Sequence, residues 1–394
     1  MRTVIIGNGG AAVESIIALR GGGYNSEIHL FSDSVYPAFN PTLLTYYIAG
    51  KVGLEDIFHR FDDFYDRHNI KLHLGSKVAG LDASGKTVQN AAGVSMDYEN
   101  CIICSGASPV VPGEYQDKGA YTIRSVSEAI ALKQEVSAGK KALVAGASVA
   151  GIKVVEALCE QGLEVTLADI QPHMFPLSAH VSCAKLIERG LEDKGVRLCL
   201  GAAGLDLSQF DIIVVCAGIR PNIDFIDKRQ VDTDSGILVD EYMRTNSDGL
   251  YAAGDCARIK GSAPGFIMPG LWASARYMGR TAGINAAGGN TACPVVPQHN
   301  TSRFFGVDFA SIGDVNAGDD VFEMQSGSKY CIITWKDSRL AGMNLLNMPE
   351  ISGILKSHMQ KCSELSSIVL SKVFSKYPPI RDAFLERGVF DGNE

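Results

Sequence analysis

No apolar run in the 394 residues approaches the roughly 20 positions that a membrane helix needs, so a spanning protein is not expected. Basic charge is not in excess: 36 Lys and Arg stand against 44 Asp and Glu, for a formal net charge of -8. A nucleic-acid partner is therefore not expected, because phosphate backbones select basic surfaces. The ten cysteines form no disulfide framework, which suits a reducing cytoplasm, and apart from Cys101 and Cys104 they show no metal-ligand spacing. The eight histidines have no paired spacing either. No metal site is expected, and His173 and His180 read as solvated. A signal peptide is not expected, since only Arg2 precedes a first apolar run that is too short for one. What remains is 46% hydrophobic and 20% charged, the composition of a globular protein long enough for two or three domains.

Glycine, by contrast, is abundant and patterned. Val4-Ile5-Ile6 runs into Gly7-Asn8-Gly9-Gly10-Ala11-Ala12, and apolar residues at helical spacing follow over residues 13–20. That is strand, tight turn, helix. Gly7 allows the turn, Gly9 lets backbone amides approach a pyrophosphate, and Ala12 takes the small position where helix meets strand. The helix start offers free N–H groups and a partial positive charge to phosphates. A second strand ends at Ser32 and Asp33, where a carboxylate for an adenosine ribose is expected. A proline-bounded loop with Asn40 and a short aromatic helix with Tyr46 and Tyr47 follow. Residues 57–70 have the spacing of an amphipathic helix, and residues 70–88 alternate like strands. The unit closes on an apolar strand ending in Ser105-Gly106.

The same grammar then repeats. Residues 141–145 form an apolar strand before Gly146-Ala147-Ser148-Val149-Ala150-Gly151, and a helix is expected from Ile152. The next strand ends at Asp169, 23 residues after Gly146, close to the spacing of about 20 for a ribose-binding acid. This unit closes on residues 211–218, ending in Ala217-Gly218. A short strand then ends in Gly254-Asp255. Beyond about residue 297 the character changes, with strand-like runs at 304–312 and 329–335 and a helical stretch at 351–374.

Residues 7–12, residues 146–151 and Gly254-Asp255, in that order, resemble the flavoprotein reductases of the pyridine nucleotide-disulfide oxidoreductase-like superfamily. Within it the chain looks most like the nitrite reductase flavin domain and the NADH:rubredoxin and ferredoxin reductases. Residues 271–280 resemble the last helix of that FAD domain. The resemblance implies an α/β fold: two Rossmann-like dinucleotide-binding domains of three-layer ββα type plus a C-terminal α+β interface domain. Residues 1–110 and 236–296 would form the FAD domain, 111–235 the NAD domain, and 297–394 an interface or dimerisation domain. FAD would be held by Gly7, Gly9, Gly10, Ala11, Ala12, Ser32, Asp33, Asn40, Ser105, Gly106, Gly254, Asp255, Leu271 and Trp272. NAD would be held by Gly146, Ser148, Val149, Ala150, Gly151, Asp169 and Gly218. Asp255 would accept from a ribityl hydroxyl. The helix beginning near Pro269-Gly270-Leu271-Trp272 would aim its positive end at the flavin pyrimidine. NADH would pass a hydride to FAD, and electrons would leave to a small redox protein or a partner subunit, with no side chain acting as acid or base. Two alternatives stay open: reduction of oxygen or a small organic acceptor at the flavin, and an FAD-bearing electron-transfer subunit of a larger complex.

Several positions depart from the pattern. Ser148 places a side chain where the middle glycine of the second turn is expected, so nicotinamide binding is expected to be weaker there. Asp169 without a neighbouring arginine favours NADH over NADPH, because a 2′-phosphate would meet a carboxylate. About 15 residues separate Val196 from Asp211, so the β-meander usual there is expected to be reduced or missing. Tyr46 stands where relatives often carry a lysine near the isoalloxazine, which implies a lost positive charge and a lower flavin potential. Residues 36–60 hold no cysteine, so no active-site disulfide is expected. Cys101 and Cys104 have Cys-x-x-Cys spacing, but on a predicted strand they point to opposite faces.

Overall fold

The computed structural model describes residues 2–387 apart from 59–62, 202, 261–269, 295, 338 and 361–371. Three sheets organise it. In the first, the strands run Leu250–Ala252, Asn100–Ile103, Arg2–Ile6, Glu27–Phe31 and Ile70–His73, all parallel. Their near-continuous Val, Ile and Leu content is what a parallel sheet covered on both faces requires. One face carries a three-stranded meander, Val78–Asp82, Thr87–Asn90 and Ser95–Asp97. The other carries helices Gly10–Gly21 and Trp272–Ala286. Val4, Ile5, Ile102 and Leu30 are fully buried between these layers, each worth about 1.5–3 kcal/mol of apolar burial.

The second sheet has the order Arg197–Leu200, Glu164–Asp169, Lys141–Ala145, Ile212–Val215, again all parallel. In both sheets the connections leave the first strand in opposite directions, which opens a crevice at its carboxyl end. The two units are joined by an antiparallel ribbon, Ala107–Pro109 with Ile219–Pro221. Among the described residues between Leu200 and Ile212 there is no strand, only the short 3-10 turn Leu207–Gln209. The third sheet is antiparallel, in the order His299–Phe304, Val307–Gly313, Arg339–Leu346, Lys329–Lys336, Asp320–Ser326. Helix Pro349–Gln360 packs on it, and its Leu355 shares a buried cluster with Trp335 and Met343 of the sheet. The whole is the α/β arrangement of two Rossmann-like units with an α+β C-terminal unit.

Two expectations change. Residues 57–70 do not form one helix. A 3-10 turn ends at Ile57, and the helix among the described residues is only Phe64–Arg67, stopped by Asn69 in the left-handed region at φ 48°. The run 304–312 is a hairpin rather than one strand: Phe305 and Gly306 both have positive φ, the backbone a tight two-residue turn needs. The helical stretch 351–374 begins as Pro349–Gln360, and residues 361–371 lie outside the described residues. No helix among the described residues is long and apolar enough to cross a membrane.

Candidate active site between the two glycine turns

At both crevices the first turn glycine meets the neighbouring strand in the same way. Gly7 has φ 103°, and a Cβ there would lie 2.1 Å from the Cys104 carbonyl oxygen. Gly146 has φ 117°, and its Cβ would lie 2.4 Å from that of Cys216. Neither position tolerates a side chain. Gly9 is different. Its φ of -93° suits any residue, and a Cβ would meet no protein atom within 4 Å. Nothing in the protein demands glycine there, so the open cradle fits a ligand that comes close to the backbone. Helix Gly10–Gly21 has no side-chain cap and no acid in its first turn, so its leading N–H groups are free. Beside them the Asn8 amide nitrogen is buried without a partner, while Tyr65 donates to its oxygen at 2.8 Å. An unpaired buried donor beside free helix amides is what a pyrophosphate-bearing cofactor would satisfy.

Helix Trp272–Ala286 is brought to this turn by small residues. A Cβ on Gly279 would lie 2.1 Å from the Ala11 oxygen, and one on Gly283 would lie 2.4 Å from the Ser15 oxygen. The two backbones therefore nearly touch. Ser15 donates to the Gly279 carbonyl at 2.8 Å, and Glu14 accepts from Arg276 at 2.7 Å. Trp272 then lies over Gly10. The Asp255 side chain is 12% exposed. It accepts from the Gly270 N–H at 2.8 Å and from the Arg124 guanidinium. Pro269 lies outside the described residues.

At the second turn Ser148 caps its own helix, Val149–Glu160: its Oγ accepts from Gly151 N–H at 3.1 Å. Asp169 accepts from the Ala147 N–H at 2.6 Å and the Gln171 N–H at 2.8 Å. Both turns open into one cavity of about 1080 Å³. Gly9, Gly10, Ala11, Gly106, Gly254, Asp255, Leu271 and Trp272 line it from the first unit. Gly146, Ser148, Val149, Ala150, Asp169 and Gly218 line it from the second. Residues 300–303 of the C-terminal unit close it. Six of the expected ligand positions lie off this wall: a Cβ on Gly7 or Gly151 would meet backbone, Ala12 and Ser32 are buried, Asn40 accepts from Thr42, and Ser105 donates to the Asn222 carbonyl at 2.7 Å. Asp33 is exposed and also off the wall.

A family model described as pyridine nucleotide-disulphide oxidoreductase matches residues 1–279. The chain belongs to the pyridine nucleotide-disulphide oxidoreductase family. As a member it is an FAD-dependent NAD(P)H oxidoreductase. Over 392 residues it is 27% identical to the NADH-dependent phenylglyoxylate dehydrogenase subunit epsilon of Aromatoleum evansii, with 93% of each chain covered. Over 344 residues it is 24% identical to the NADH-rubredoxin oxidoreductase of Clostridium acetobutylicum, covering 86% of this chain and 89% of the other. Among solved structures it superposes on a chain of the covalent putidaredoxin reductase–putidaredoxin complex with a TM-score of 0.86, at 18% identity and over 98% of both chains. That last likeness is one of fold.

For a member of a family named for disulphides, this oxidoreductase offers no redox-ready thiol at its cavity among the described residues. Cys104 and Cys216 reach the wall as free cysteines, and burial disfavours their thiolates, pushing the Cys104 thiol well up and that of Cys216 to about 12. The thiolate is the reactive form. Cys101 is also free and fully buried, and Cys362 lies outside the described residues. Among the described residues no cluster of His, Cys, Asp and Glu could hold a metal.

Tyr46 and Tyr47 part company. Tyr46 faces the cavity, whereas Tyr47 packs under Lys133, whose ammonium sits 4.0 Å from the ring centroid. Two wall residues escaped the sequence reading. Arg124 reaches Asp255 across 131 positions, and its only local trace is the capping box of Ser125 and Glu128 just after it. Lys153 sits one turn into the second turn's helix, with its ammonium 5.0 Å from the Tyr46 ring centroid. Its residue type, a cation next to a nucleotide turn, was the available signal.

Proposed function

We propose that this flavoprotein takes a hydride from NADH onto FAD and passes electrons to a small redox protein of the rubredoxin or ferredoxin type. The observation that carries the reading is the single cavity of about 1080 Å³ joining two glycine turns, with no thiol among the described residues poised to relay electrons. When bound, FAD supplies the acceptor: it takes two electrons and one proton from the nicotinamide and can release the electrons singly. On this reading residues 1–110 with 236–296 hold FAD, 111–235 hold NADH, and 297–394 close the cavity. Gly9, Gly10 and Ala11 present free amides to the pyrophosphate, with Gly7 and Ala12 shaping the turn. Ser32, Asp33 and Asn40 serve the adenosine side. Ser105, Gly106, Gly254, Asp255, Leu271 and Trp272 serve the flavin side, and Arg124 orients Asp255. Gly146, Ser148, Val149, Ala150, Gly151, Asp169 and Gly218 take NADH. Asp169 accepts from two backbone N–H groups and pairs with no arginine among the described residues, which supports NADH over NADPH. The free cysteines support a cytoplasmic location.

A second reading has its own support. Ser148 spends its lone pair on Gly151, and a relative covering 93% of both chains is named as a dehydrogenase subunit. In that case the chain would carry FAD and pass electrons inside a larger assembly. Anaerobic stopped-flow separates the readings. Rapid bleaching of the yellow enzyme by NADH, with slow reoxidation by air and fast reoxidation by rubredoxin, is the outcome expected of the reductase. No bleaching by NADH overturns it and leaves the subunit reading, and a protein that cannot be loaded with FAD overturns both.

A further inference from the structure

Two dinucleotides anchored by their phosphates at the two turns must bring their reactive rings together in the space between. Tyr46 from the first unit, Lys153 from the second and Arg303 from the C-terminal unit converge there on one wall. The Lys153 ammonium lies over the Tyr46 ring, is paired with the Glu156 carboxylate, and donates to the Arg303 carbonyl at 2.8 Å. Its side chain is 17% exposed. Glu156 is fixed in turn, accepting from the Phe305 N–H at 2.6 Å. An ammonium has three donors, and two are spent on these acceptors, so the third is available to a ligand in the cavity. The other cations on the wall are committed elsewhere: Arg124 to Asp255, and the 70% exposed Arg303 guanidinium to Asp308 at 3.8 Å. Lys51 also lies near the Tyr46 ring, at 5.5 Å, but it is exposed, paired with Glu160 at 2.7 Å and off the cavity wall.

Resting on the flavin reading above, we propose that Lys153 supplies the positive charge at the reacting end of the flavin, delivered from the nicotinamide-side helix. The charge that Tyr46 withholds is thereby returned by a different unit. A hydride adds two electrons and one proton, so the accepting ring gains one negative charge, and an ammonium in a partly buried site favours that state. The flavin potential is then not lowered as Tyr46 alone would imply. Because Lys153 is tied to all three units, the compensating charge exists only when they are docked together.

The test uses the FAD-loaded protein and two readouts besides turnover: the dissociation constant for sulfite, which adds to oxidised flavin as an anion, and the equilibrium potential against a dye. Lys153→Met is expected to weaken sulfite binding about tenfold and to lower the two-electron potential by the equivalent, about 30 mV. Lys153→Arg and Lys51→Met are expected to keep both near the wild-type values. Should Lys153→Met fail to hold its fold with Glu156 unpaired, the double variant Lys153→Met, Glu156→Gln removes the pair together and is read in the same way. Unchanged sulfite affinity and potential in the FAD-loaded variant overturn the proposal. A wild type that takes up no FAD, or is not bleached by NADH, instead counts against the reading of function.

Discussion

A single hydroxyl separates the two turns. Gly9 leaves its helix uncapped, and the free N–H groups wait for a ligand. Ser148 occupies the matching place and turns its Oγ on Gly151, so the protein partly satisfies its own anion site. Capping by serine rather than glycine is worth only a few tenths of a kcal/mol, whereas one more free amide and an open cradle bear directly on the pyrophosphate. Ser148→Gly is therefore expected to tighten NADH binding about three- to tenfold while the thermal midpoint moves little. Titration calorimetry with NADH and a melting curve check both halves, and weaker binding in the variant would mean that Ser148 donates to the phosphate instead. At this scale the residues legible in sequence are those whose chemistry is local: Gly7, Gly9, Gly146, Ser148 and Asp169 can be read from their own neighbours. Arg124 and Lys153 cannot, because their meaning lies in partners brought near by folding. Lys153 touches Tyr46, 107 positions away, and the Arg303 carbonyl, 150 positions away.

At the scale of elements, the crossing of helices Gly10–Gly21 and Trp272–Ala286 sets where Trp272 and the first turn stand. The approach depends on Gly279 and Gly283, whose missing side chains let backbone meet backbone. Gly279→Ala would drive a Cβ to 2.1 Å from the Ala11 oxygen, and the helices must separate. The expected cost is about 1–3 kcal/mol, with Trp272 lifted from Gly10 and FAD held at least about tenfold more weakly. Urea unfolding and the flavin released on dilution measure the two effects, and a variant that matches wild type in both would show that the crossing does not position the turn. The strand–turn–helix units were legible because apolar runs and glycines sit side by side in the chain. The failures were at short elements. The helix at Phe64–Arg67 is only four residues long, and Asn69 cuts it before the apolar period can show. The break at Phe305-Gly306 hides inside an apolar run because a phenylalanine at φ 49° leaves no mark on hydrophobicity.

For the whole molecule, the cavity exists only because three units stay docked, and half-buried histidines at the junction make its stability depend on pH. His299 opens the first strand of the C-terminal sheet, with a buried Nε2 that has no partner. Burial, with the Lys356 ammonium on the packed helix adding to it, holds its pKa down to about 4. His180, whose N–H donates to Asn344 across the same junction at 2.8 Å, is also lowered, first by burial. An unfolded histidine titrates near 6.5. Between about 6.5 and 4 the unfolded chain therefore binds more protons than the folded one, so stability rises with pH in that window. The contribution of His299 is complete above about pH 6.5 and is lost as pH falls toward 4, at a total cost of roughly 1–3 kcal/mol. His299→Gln, which keeps a polar group of similar size without a titrating ring, is expected to flatten this loss. Urea unfolding from pH 8 to pH 5 is the measurement, and parallel losses in wild type and variant would remove His299 from the account. FAD affinity of the variant at pH 8 is expected to match wild type, because His299 does not line the cavity. The pH response then reports on the junction between units rather than on the site itself.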